Sequence, residues 1–123
     1  MSDEGASLYV IYLKGAASFT VGALLLARGH LHGGDTTGVT FRGSYGATAD
    51  GYSLAVTATA IVPPNVRVVP GFRIRPEPVL ANFSTSIPRV MANGERVEAI
   101  LDTPDGDLAA IIVKVADLPP LGP

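Results

Sequence analysis

The segment YSLAVTATAIV, residues 52–62, admits little besides a β-strand. Tyr52, Leu54, Val56, Ala58 and Ala60 fall on one side of an extended chain, with Ser53, Thr57 and Thr59 on the other. Successive side chains of a strand project to opposite faces, so this alternation describes a half-buried strand, and its β-branched content suits a pleated surface. Helical spacing sorts the same residues poorly. The 14 glycines and 10 prolines are spread along the chain. They leave few windows long enough for a helix, because Pro removes a backbone donor and Gly weakens a helix interior.

The alternation recurs. It predicts strands at Leu8–Leu13, Phe19–Leu26, Val39–Tyr45, Tyr52–Val62, Val66–Arg75, Val79–Thr85, Arg96–Leu101 and Leu108–Val115, with a short piece at His30–His32. That makes about eight or nine strands by the period-two rule. Between them stand ARG, GGD, ADG, ANG and PDG, each placing Gly where a tight hairpin turn needs positive φ. Many strands at short spacing joined by hairpins predict an antiparallel sandwich or barrel. Leu24 beside Leu25 and Ile111 beside Ile112 make some strands apolar on both faces. A closed barrel needing both an inner filling and an outer contact surface, or a dimer interface covering one outer face, accounts for that.

No repeat or linker divides the 123 residues, and 47% apolar against 16% charged residues describes one packed domain. Its core is expected over residues 8–118, with tails at 1–7 and 119–123. A net charge of -2 gives no clustered cation excess for phosphate binding, which argues against nucleic acid. With no cysteine there is neither a disulfide nor a thiolate metal site. The start MSDEGASLYV is acidic where a secretory signal is basic, and the apolar runs fall far short of a membrane span of about 20 residues. A cytoplasmic protein that stays off the membrane is the expectation.

The chemistry-bearing residues are few. His30 and His32 share a face by parity, and Asp35 follows His32 after the Gly33-Gly34 step. A catalytic zinc takes three protein ligands, and no further His or Cys exists to supply them. The preferred reading is a short strand entering a turn, with no metal, cofactor or catalytic residue. GSYG at residues 43–46 lacks the spacing of a nucleophile elbow, and DTPDGD at 102–107 reads as a solvated hairpin turn rather than a calcium loop. Arg67, Arg73 and Arg75 share a face and could hold an anion, though arginines beside prolines more often guard a sheet edge. An apolar pocket, if present, is expected to draw on Val10, Tyr12, Val21, Tyr45, Leu54 and Val56; the strand period does not say which face is inward.

Four pieces taken in order, LYVIYLKG, GALLLARGHLHGGD, TFRGSYGATADGYSLAVTA and GERVEAILDTPDGDLAAIIVKVADL, resemble the GrlR-type negative regulators of type III secretion and their bacterial relatives. The resemblance runs from about Leu8 to Leu118. It implies a single-domain, eight-stranded, lipocalin-like antiparallel β-barrel that pairs as a homodimer. It further implies regulation by sequestering a protein partner, such as a transcriptional activator, without enzymatic activity. A carrier or sensor of a small apolar ligand is the alternative. The family's regulators carry a surface run of alternating Glu and Asp, and this chain has no four-acid run.

Overall fold

A computed structural model describes residues 6–14, 19–64, 77, 79–103 and 106–118. Eight strands follow one another: β1 (Ala6–Lys14), β2 (Phe19–Ala27), β3 (His30–Asp35), β4 (Thr40–Ala47), β5 (Ser53–Val62), β6 (Val79–Pro88), β7 (Arg96–Thr103) and β8 (Gly106–Leu118). Each pairs antiparallel with the next and β8 returns to β1, closing an eight-stranded barrel. The all-β barrel expected above is therefore the fold. No helix occurs among the described residues. The strand expected at Val66–Arg75, with Arg67, Arg73 and Arg75, lies outside them.

Parity fixes the core. Tyr9, Ile11 and Leu13 of β1 point inward, as do Leu24 and Leu26 of β2, Val56, Ala58, Ala60 and Val62 of β5, and Ala110 and Ile112 of β8. Leu31, between the two histidines, is fully enclosed at 0% exposure. Phe41 and Phe83 meet edge to face across the interior, with ring centroids 6.1 Å apart. An eight-stranded barrel is just wide enough for side chains to fill it, and here they do. Among the described residues, two apolar spaces inside measure about 40 and 10 Å³.

Two glycines let neighbouring strands approach closely. A Cβ on Gly33 would lie 2.2 Å from the Ala23 carbonyl oxygen, and one on Gly43 would lie 2.1 Å from that of Thr57. Neither distance is compatible with a side chain, so both residues mark close backbone approach. This corrects the expectation of a turn at GGD. Gly33 and Gly34 lie within β3, and the positive φ of that hairpin falls later, at Gly38 (98°). The other glycine turns stand as expected, including Arg28 and Gly29 at φ 54° and 83°, the two positive values that a two-residue type I′ hairpin requires.

One seam is sparse. Between β6 and β7 the described ladder pairing is Ser84 opposite Asp102. The Thr85 hydroxyl donates to the Ile100 carbonyl oxygen at 2.9 Å, a side chain standing in for a backbone bond. Beyond it the connection 89–95 folds over the barrel mouth, with Met91 buried as a stopper. Lys114, whose side chain points inward from β8, donates from Nζ to the Met91 carbonyl oxygen at 3.0 Å and holds the stopper in place.

Candidate functional site

The sequence singled out His30, His32 and Asp35 together, and the barrel separates them. Both histidines lie exposed on the outer face of β3, opposite Ser44 and Arg42 of β4. Asp35 has the opposite parity and organises the following turn. Its Oδ1 accepts from the Thr37 amide (2.8 Å), the Thr37 hydroxyl (2.6 Å) and the Val39 amide (3.0 Å). An Asp that receives donors two and four residues onward builds a local turn, as Asx motifs do. Its other oxygen, Oδ2, is buried without a partner. Among the described residues, no group of three or more His, Asp or Glu is placed to hold a metal.

The six residues expected to form a pocket divide into two sets. Tyr45, Leu54 and Val56 face inward and pack with the core. Val10, Tyr12 and Val21 face outward, where β1 and β2 present their second apolar side. Among the described residues, the inner set lines no usable cavity. A dry void of about 150 Å³ is what accommodates benzene, and the larger interior space here is about 40 Å³.

The outer set belongs to something larger. Tyr12 lies opposite Val21 on one side and Ile111 on the other, and Val10 lies opposite Ala23 and Val113. Arg96 of β7 stands across from Val113. Tyr12, Val21, Arg96, Ile111 and Val113 together line an external hollow of about 360 Å³. Leu25 extends the apolar strip towards β3, where it meets His32. Three neighbouring strands, β8-β1-β2, thus carry an apolar surface on the outside of the barrel, bordered on β7 by Arg96 and Glu98. Apolar surface of this extent marks interaction sites on soluble proteins. No protein-family model, curated protein or solved structure matches this chain.

Sequence reasoning missed Ile111, Val113 and Arg96. The signal for β8 was misleading, because Lys114 shares parity with the buried Ala110 and Ile112. A lysine ordinarily marks the wet side of a strand, which would have turned Ile111 and Val113 inward.

At the stoppered mouth, polar groups form a chain. The Ser7 hydroxyl donates to Asp117 Oδ1 at 2.9 Å, and Lys114 Nζ pairs with the same oxygen at 2.8 Å. The Lys114 ammonium donating to Asp117 holds that carboxyl below its ordinary range, with help from Ser7. Burial pushes the Tyr9 phenol up, against the opposing pull of Lys114. These groups clamp the mouth. The Tyr9 shift has a measurable consequence. Above the ordinary phenol range the unfolded chain loses this proton first, so stability falls as pH rises from there through the higher folded value. In an alkaline absorbance titration, one of the four tyrosines is expected to ionise late, and Tyr9→Phe to abolish that late fraction. An unchanged curve in the variant contradicts the assignment.

Proposed function

We propose that this chain is a non-enzymatic regulatory binding protein that sequesters a partner protein on the outer face of β8-β1-β2. The observation that carries this reading is the contrast between a filled interior and the external hollow of about 360 Å³ floored by Tyr12, Val21, Ile111 and Val113. A desolvated aromatic or aliphatic anchor seated in such a hollow supplies most of the affinity of a protein interface. The resemblance to negative regulators of type III secretion points the same way, towards capture of an activator rather than contact with DNA. A carrier function draws less support, because the interior space is too small for an apolar ligand.

The test is capture from the native host with the wild-type chain and with Val113→Glu and Val21→Glu. Both substitutions place a carboxylate on the outer surface, and Val21 is exposed, so that variant keeps the barrel intact. One protein is expected to co-purify near equimolar with the wild type and to be lost, at least tenfold by the arithmetic of about 1.4 kcal/mol per decade, with both variants. Retention by both folded variants overturns the assignment of the face.

A further inference from the structure

We infer that the barrel opens sideways at the join between β6 and β7, a lateral gate through which solvent reaches the interior while the other ladders hold. This goes beyond the outer face of β8-β1-β2 and stands or falls separately from it.

The direction of the backbone groups shows how weakly the join is held. The Arg89 amide donates to the Tyr52 carbonyl oxygen at 3.0 Å, so the odd-numbered residues of β6 turn their backbone groups towards β5. Ser84, Ser86 and Pro88 therefore turn theirs towards β7. The Lys114 amide donates to the Glu95 carbonyl oxygen at 3.0 Å, and by the same alternation Glu98, Ile100 and Asp102 turn theirs towards β6. Among the described residues, one ladder pair, Ser84 with Asp102, spans the join. Carrying that register onward brings Ser86 level with Ile100 and Pro88 level with Glu98, and neither is a ladder pair. Pro88 has no N–H to offer, and a proline within a sheet belongs at an edge. The Ile100 carbonyl oxygen takes the Thr85 hydroxyl at 2.9 Å. On either side the ladders are long: β5 pairs with β6 from Ser53 to Val62, and β7 pairs with β8 from Arg96 to Thr103. Each strand is thus fixed on its far flank, and the join is the stretch of wall that parts at least cost.

What lies behind the join gives the opening its consequence. Phe83 of β6 and Leu101 of β7 face inward on its two sides, at 8% and 3% exposure. Both residues line both interior spaces. Parting the strands leads directly into those spaces and wets their apolar lining. Burial of that lining keeps the gate shut, and the Thr85 hydroxyl is its latch.

The chain has no cysteine, so one introduced thiol reports access to the interior. Ala99→Cys places it inside on β7, at a position 5% exposed, and Ala58→Cys, 3% exposed on β5, is the second reporter should the first not fold. The probe is an aromatic disulfide reagent at limiting concentration. Its labelling rate, divided by that of the urea-unfolded chain, gives the open fraction. That fraction is expected to exceed the globally unfolded fraction by at least about tenfold, and to change little in urea well below the midpoint, because a parted join exposes little surface. Thr85→Val is expected to raise it about fivefold, the worth of one hydrogen bond. Thr59→Val is the matched control. Its hydroxyl donates to Asn82 Oδ1 at 2.8 Å across the long β5–β6 ladder, and its loss is expected to leave labelling within about twofold.

An open fraction no larger than the globally unfolded one, or one that rises with urea as steeply, overturns the gate. So does a rate that Thr85→Val leaves unchanged. Equal acceleration by Thr85→Val and Thr59→Val also overturns it, by assigning the labelling to a general loosening of the barrel.

Discussion

Gly43→Ala is expected to lose at least about 3 kcal/mol of stability or to yield no native barrel at all, since overpacking a tight site costs about 1–3 kcal/mol and more where the wall cannot move. The added methyl would sit 2.1 Å from the Thr57 carbonyl oxygen and 2.6 Å from the Ala58 Cα. Both obstacles are backbone of the adjacent strand, so relief requires β4 and β5 to part along a ladder that runs from Thr40 to Ala47. Total stabilities of small domains are about 5–15 kcal/mol, and such a loss is a large share of that. Gly46→Ala is the control, because a Cβ there meets nothing within 4 Å. Urea unfolding of the two variants checks the claim. A loss below about 1 kcal/mol for Gly43→Ala would mean that the wall yields easily and that glycine at this position has another cause.

Asp35→Ala is expected to cost about 2–4 kcal/mol, since each part-buried donor left unsatisfied costs roughly 1–3 kcal/mol and water recovers some of it. Oδ1 takes three donors from the two residues Thr37 and Val39, and Val39 is itself buried at 1% exposure. Asp35→Asn keeps an acceptor in place and is expected to lose much less. His30→Ala and His32→Ala, at exposed positions outside any bonded network, are expected to stay within about 0.5 kcal/mol of the wild type. Thermal unfolding of the four variants separates the readings. Equal losses at the histidines and at Asp35 would mean that the three residues act as one unit after all.

The architecture was open to reading for a physical reason. Alternation in β5 places Leu54, Val56, Ala58 and Ala60 on one face and the threonines on the other, and that is how the barrel arranges them. Tyr52 is the exception: it belongs to the preceding turn and is 79% exposed. Turn glycines at 29, 51, 94 and 106 likewise announced their positive φ. The candidate face was half legible. Val10, Tyr12 and Val21 were singled out, but an apolar period of two carries no sign. Where both faces of a strand are greasy, as in β1, nothing local distinguishes Tyr12 from Ile11. The decisive information is non-local: His30 and His32 bracket a fully buried Leu31, and cross-strand register then propagates the outward parity through Leu25 to Leu8, and so to Val10 two residues on. Gly33 was misleading as a turn marker, because the close approach that requires it belongs to the tertiary wall rather than to the chain around it.

The ladder between β1 and β8 has a consequence for synthesis. Ser7 and Asp117, bonded across it, are 110 residues apart in the chain, and β1 finds eight of its partners in that last strand. Until the ribosome releases residues 106–118, one long flank of an apolar strand stands bare, with every second amide seeking a mate. Such a flank pairs readily with other chains, and pairings so distant in sequence form slowly. A nascent or truncated form of this protein is therefore the species most in need of a chaperone, whereas the finished ring has its sparse join between two consecutive strands.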